Sequence, residues 1–517
     1  MATPQFNIKT GSDSSAYFAR EKTIADTTNE NELGMIKLSE DVGTDYLEYP
    51  VLVRRTGDSL KGTTESIESN ELRKGRTKSA PRKGNESSEG SLDFEFSPET
   101  YDDILAATFR NEWVEWNSDK NSATNLDKLS YADGYFSMKK LDANGKVVEV
   151  KKRLVATPTE VATIKTEIAA GTKTELDLPL IELKDADKME IAELTCGSKD
   201  IKYDVIKEFA GDGNALYQDF AHLAVNTIDI SVTPGQIVTG SFGFVGSTNP
   251  RLLQKDALAK SMLDKFDGAD DTEKEANAKA YIENLPDKGT STDQYTAREG
   301  FLYIDGERVR YGSNLSFNLN NGLEKTFAIF EKDAIAVSPL TLDITGSLGA
   351  YLISGYTETL YNLSKDDKDV EVLFCFQDKE EDPDSLYVVQ IFKTKFTDTD
   401  ISSGAENLEV TFPFQSFEER ACRIIRLRRQ RVKKLSRTDD TNIEVTLSKV
   451  PSASVADDIK VSAVIDGVDV DSADITVTVG STNDVYTVTI ANASKTKDLD
   501  VTVEYNDTKV TKSYEKE

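Results

Sequence analysis

Residues 228–232 read IDISV, with apolar side chains at Ile228, Ile230 and Val232 and polar ones at Asp229 and Ser231. Alternation at period two sends the first set to one face of an extended chain and the second set to the other, the signature of a half-buried strand. The same period returns in FSM at 136–138, LSFNL at 315–319, LDI at 342–344 and VTVEY at 501–505. A chain so patterned is expected to be mainly β.

Two stretches depart from this pattern. Residues 97–110 read SPETYDDILAATFR, where Ser97 can cap, Pro98 suits a first helical position, and Glu99, Asp102 and Asp103 favour a helix N-terminus. Tyr101, Ile104, Leu105, Thr108 and Phe109 then share one face, so a helix flanking a sheet is expected. Residues 251–285 are richer in Ala, Lys, Glu and Asp, with a ragged apolar stripe at Leu252, Leu253, Leu258, Met262 and Phe266. They read as a peripheral helical insertion.

At 517 residues the chain exceeds what a single core accommodates, about 250–300 residues, so several domains are expected. Composition changes abruptly after Thr438: Trp, Cys, Phe and His vanish, and Val, Thr, Asp and Ser dominate. Short alternating runs begin there at Ile443, Ile459, Ile475, Tyr486, Asp500 and Lys509, which suggests a small immunoglobulin-like sandwich. An internal echo links GSLDFEFSPETYDDIL from Gly90 with GSLGAYLISGYTETL from Gly346, and GSFGFVG from Gly240 repeats its opening. The expected division is a first β module with a flanking helix over 1–250, a helical insertion over 251–295, a second module over 296–437 and the sandwich over 438–517.

The net charge of -29 disfavours a phosphate-gripping nucleic-acid binder and an anionic-membrane binder. The longest apolar runs, such as Ala334 to Val337, fall far short of the ~20 residues that span a bilayer. The N-terminus lacks the basic and apolar regions of the usual secretory signal, so synthesis and folding in a cytoplasm are expected.

Little in the sequence suggests catalysis. His222 is the sole histidine, which rules out a multi-histidine metal site. Cys196, Cys375 and Cys422 form no CxxC pair, and Cys375 lies inside the apolar run VLFCF. Neither GDGNALYQDF from Gly211 nor GSFGFVG has phosphate-loop spacing, and the acidic runs at Asp270 and Asp378 lack the ligand spacing of a calcium loop. Neither an enzyme nor a cofactor is expected.

Two basic runs interrupt the acidic chain. RIIRLRRQRVKKLSR at 423–437 carries Arg426, Arg428, Arg429 and Arg431; it reads as inter-subunit or exposed-edge pairing, with nucleic-acid contact or a plain linker as alternatives. The segment 63–84 sets Glu65, Glu68 and Glu71 before Arg73, Arg76 and Arg82, opposite charges in one polar loop that fit docking on a neighbouring copy, or else a mobile surface loop.

Residues 54–113, from RRTGDSLKG to FRNEW, resemble the N-terminal signature of siphophage tail tube proteins, in which a polar loop leads to a Gly-Ser-Leu strand and a helix. NTIDISVTPGQIVTGSFGFVG from Asn226, SNLSFNLNNGLEKTFAIF from Ser313 and SPLTLDITGSLGAYL from Ser338 fit the same family, which the resemblance covers over roughly 40–430. It implies sandwich or barrel-like β modules that close into rings and stack around a DNA channel, with the terminal domain decorating the outside. It also implies self-association, with tape measure and tail terminator or tip proteins as partners, duplex DNA passing without specific binding, no membrane, and a place in the virion after assembly in the host cytoplasm. Two modules per chain predict a trimeric ring with pseudo-sixfold symmetry; one module would require a hexamer. The rival readings are a head or baseplate protein with the same kind of domain, or a bacterial surface-binding protein.

Overall fold

The structure, a computed structural model, describes residues 14–22, 36–37, 46–47, 50–69, 80–115, 135–141, 147–174, 177–184, 189–210, 215–266, 270–286, 292–355, 357–365, 368–397, 399–402, 408–417, 421–430, 432–447, 456–480, 485–491, 493–494, 498–505 and 508–514. The fold is mainly β, in several sheets that do not close into a barrel. In chain order the elements used below begin with β1 (Ser14–Lys22), β2 (Lys61–Ile67), β3 (Arg82–Glu95), α1 (Asp102–Thr108), α2 (Pro158–Ala169), β4 (Met189–Thr195), β5 (Lys202–Phe209), β6 (Leu216–Val232) and β7 (Thr239–Gly246). Then come α3 (Lys255–Ser261), α4 (Asp271–Glu283), β8 (Gly300–Ile304), β9 (Gly312–Asn320), β10 (Leu323–Thr326), β11 (Ala336–Pro339), β12 (Asp343–Tyr351), α5 (Thr357–Lys365), β13 (Val370–Gln377), β14 (Ser385–Phe396), β15 (Glu409–Ser416) and β16 (Cys422–Arg429).

One set of antiparallel pairings occurs twice. β1 pairs β5, β5 pairs β6, β6 pairs β7, and β7 pairs β3; likewise β8 pairs β13, β13 pairs β14, β14 pairs β15, and β15 pairs β12. In each set the strand containing Gly-Ser-Leu leads to a helix, β3 to α1 and β12 to α5. The local chemistry repeats as well. Ser59 Oγ lies 3.0 Å from Ser91 Oγ and accepts the Ser91 N–H at 2.8 Å; Ser316 Oγ lies 2.8 Å from Ser347 Oγ and accepts the Ser347 N–H at 3.1 Å. The preceding glycines are tight for one reason: a Cβ at Gly90 would stand 2.5 Å from Ser59 O, and one at Gly346 would stand 2.5 Å from Ser316 O. Two long strands also bend at one left-handed residue each, His222 in β6 (φ 57°) and Lys393 in β14 (φ 45°).

The two sets join where β6 pairs β9, giving a continuous wall ordered β3–β7–β6–β9–β12–β15. Its inner face packs Leu92, Phe94, Ile228, Ile230, Phe242, Phe317, Ile344 and Phe414 into the main core. α1 closes that core, but begins later than its sequence suggests. Glu99 is left-handed (φ 64°), so Ser97 caps no helix; its Oγ lies 2.8 Å from Thr100 Oγ1 in a turn that precedes Asp102. The expected apolar face is buried, and Ala106 and Ala107 are buried too, so the helix is enclosed rather than laid on a surface.

α3 and α4 form the expected helical layer. Leu258, Met262, Phe266, Tyr281 and Ile282 pack there with Tyr17, Ile206 and Tyr217. α2 was not anticipated, although TPTE at 157–160 encodes it: the Thr157 side chain accepts the Glu160 N–H, Glu160 receives the Thr157 N–H, and Pro158 takes the first turn.

Beyond β16 lie β17 (Val432–Arg437), β18 (Asn442–Leu447), β19 (Lys460–Ile465), β20 (Val468–Asp469), β21 (Ile475–Val479), β22 (Val485–Ile490), β23 (Leu499–Tyr505) and β24 (Thr508–Tyr514). They make two four-stranded sheets, β17–β18–β22–β21 and β20–β19–β23–β24, around a separate core of residues such as Val445, Tyr486, Val488, Val501 and Val503. β17 pairs β18, so residues 432–437, expected to end the second module, join this sandwich instead.

Candidate assembly and channel surfaces

The outer face of the six-stranded wall is polar in its central rows except at Pro413. Cross-strand registers align Glu95, Thr239, Ser231, Ser316, Ser347 and Pro413 in one row and Asp93, Ser241, Asp229, Asn318, Thr345 and Gln415 in the next. Asp343 extends the face, bonded through Oδ1 to Gln415 Nε2 at 2.9 Å, and Asn318 Nδ2 donates to Asp229 Oδ1 at 2.6 Å. Carboxylates therefore stand at Asp93, Glu95, Asp229 and Asp343, and these two rows contain neither Lys nor Arg. The face is gently hollowed, with a concavity of about 650 Å³.

Of the residues expected at inter-subunit contacts, Glu65, Glu68 and Arg82 are exposed on the β2–β3 hairpin, while Glu71, Arg73, Arg76 and Arg431 lie outside the described residues. Arg426, Arg428 and Arg429 stand elsewhere than an exposed edge. Their strand β16 runs between β4 and β14. Arg426 Nη1 pairs with Asp102 and its guanidinium stacks 4.6 Å from the Trp113 ring centre. Arg428 Nε reaches Glu190 Oε2 at 2.7 Å, and Arg429 Nε reaches Asp384 Oδ1 at 2.7 Å. Asp102 also accepts the Tyr387 hydroxyl at 2.5 Å. Burial first, and then the Asp102 charge, push the Tyr387 hydroxyl well above its usual range, which keeps it a donor. These cations hold the interior of the chain together, and a contact to a neighbour through them would require breaking their pairs.

A second charge cluster was missed by sequence reasoning. His222 Nδ1 lies 2.9 Å from Glu21 Oε1, and Lys265 Nζ lies 2.6 Å from Asp204 Oδ2 and 2.8 Å from Asp219 Oδ2. The hydrogen bond that His222 donates to Glu21 raises the His222 pKa against the effect of burial. Burial opposes ionisation of Glu21, but the His222 hydrogen bond and charge outweigh it and lower the pKa. Ligand atoms of Glu21, Asp204 and His222 lie within 4.8 Å of one another, yet the Lys265 ammonium already supplies a cation to the carboxylates beside them. Nothing in the sequence marks the grouping, because its members come from β1, β5, β6 and the α3–α4 layer. The thiols are poor nucleophiles: burial pushes Cys196 up to about 12 and Cys375 and Cys422 well above the usual range.

A family model described as phage tail tube protein matches residues 11–416. No curated protein matches the chain.

Proposed function

Because the chain belongs to the phage tail tube protein family, whose members are structural virion components that assemble into tubes, we propose that it forms the tail tube of a siphophage as stacked rings around a DNA channel. The observation that carries this reading is the six-stranded wall, apolar on its core side and acidic on the other. Turned toward a channel, Asp93, Glu95, Asp229 and Asp343 repel a duplex that bears a charge about every 1.7 Å, so DNA slides without adhering.

The doubled pairing pattern supports two tube modules per chain, and three chains then close a pseudo-sixfold ring whose unpaired strand edges cover one another. The exposed hairpin bearing Glu65, Glu68 and Arg82, continued by Glu71, Arg73 and Arg76, contacts an adjacent subunit. The C-terminal sandwich is an immunoglobulin-like decoration on the outer surface, and tape measure and terminator or tip proteins meet the ends of the tube. Assembly takes place in the host cytoplasm.

Negative-stain electron microscopy of the concentrated full chain, with native mass measurement of isolated rings, tests this. Hollow tubes built from rings of three chain masses are expected. Closed shells would favour a head protein, rings of six chain masses would discard the two-module trimer, and persistent monomers would count against the tube itself. Replacing Asp93 and Asp229 with lysine should leave tubes intact but make them retain duplex DNA fragments; tubes that still ignore DNA would remove this face from the channel.

A further inference from the structure

The hairpin β10–β11 carries a large, unpartnered apolar surface at its tip. Phe330 is 102% exposed, Ile329 84% and Ile335 59%. Phe330 also sits in the left-handed region (φ 71°), a strained conformation for an aromatic residue that packing among the described residues does not repay. The hairpin is nonetheless anchored on either side of its tip: Glu86 N–H donates to Lys332 O at 2.8 Å, Ala334 N–H to Ser247 O at 3.2 Å, and Lys325 Nζ lies 3.1 Å from Glu89 Oε2. A fixed apolar knob is the feature of a preorganised contact.

A matching hollow opens at the other end of the same wall. A cavity of about 340 Å³ lies over the start of β9, with Val232, Leu302, Leu315, Leu348, Phe374 and Phe376 in its lining. β9 runs from this cavity at Gly312 to Asn320, just before the hairpin, so the two features are separated by roughly 25 Å of strand. Their rims carry opposite charges. Glu331 and Asp333 flank the knob, Arg308 and Arg310 flank the cavity, and none of the four has an ion-pair partner among the described residues.

We propose that Phe330, with Ile329, of one copy seats in this cavity of a second copy in the adjacent ring, with Glu331 and Asp333 facing its Arg308 and Arg310. Knob and cavity at opposite ends make a heterologous joint, which propagates instead of closing. The inference rests on the tube reading and assigns the residues that join one ring to the next.

The test is tube assembly of the full chain followed by electron microscopy, with thermal melting of each variant. Phe330→Ala should melt as the wild type does and form rings, but lose tubes. Glu331→Arg with Asp333→Arg, and Arg308→Glu with Arg310→Glu, should each abolish stacking, and all four changes in one chain should restore it. Tubes of wild-type length from Phe330→Ala and from both reversals, or failure of the fourfold variant to recover what each pair loses, would overturn the joint while leaving the tube reading intact. A wild-type chain that never makes tubes would overturn that reading itself.

Discussion

At the scale of single residues, the chain is governed by buried charges whose partners are remote in sequence. RIIRLRR looks like a basic surface because the carboxylates that neutralise it lie far away: Asp102 is 324 positions from Arg426, Glu190 is 238 from Arg428, and Asp384 is 45 from Arg429. Asp102→Ala should therefore destabilise the chain by about 3–5 kcal/mol, since it strands a buried guanidinium and the Tyr387 hydroxyl together. Chemical denaturation checks this; a loss below about 1 kcal/mol would show that water reaches the site. The His222–Glu21 pair gives a dependence on pH. The folded His222 pKa lies above its ordinary value near 6.5, so its contribution is complete below that value and fades as pH rises through the raised one. The folded Glu21 pKa lies below its ordinary value, so its contribution is lost as pH falls through the lowered one. The melting difference between wild type and His222→Gln should be largest between those limits and shrink on either side. A difference independent of pH would assign His222 a purely steric role.

At the scale of elements, alternation was enough to find the wall strands, since IDISV and LSFNL each bury one face, and charge with small residues was enough to find the α3–α4 layer. β16 escaped because both its faces are covered: Cys422 and Ile424 enter one core while Ile425 and Leu427 enter another, so no period of two survives. The Gly-Ser-Leu echo was legible, but the serines that complete it were not, because Ser59 and Ser316 stand 32 and 31 positions before their partners, beyond the reach of a local motif. The left-handed kinks of β6 and β14 leave no mark either, as neither position is glycine. Lys393→Gly should stabilise the chain by about 1 kcal/mol by removing the Cβ penalty, and Lys393→Val should destabilise it by about 1–2 kcal/mol. Melting temperatures in the opposite order would mean that the Lys393 side chain, rather than its backbone, decides the bend.

At the scale of the whole molecule, the C-terminal sandwich has its own core and is the separable part. Truncation after Gln430 should leave tube assembly unchanged and remove one calorimetric transition, whereas loss of tubes would make the sandwich part of the ring. The candidate surfaces, by contrast, depend on registers between strands hundreds of residues apart, and no local pattern announces them. Placing Phe330 and the cavity over Leu315 at opposite ends of one wall has a consequence for growth. A filament of such units has a direction, like an arrow: one extremity always displays side chains and the other always displays vacant seats. With the proposed joint, the two ends would add subunits at unlike rates, and a length-setting partner would need to imitate only half of a joint to stop the process, from one side alone.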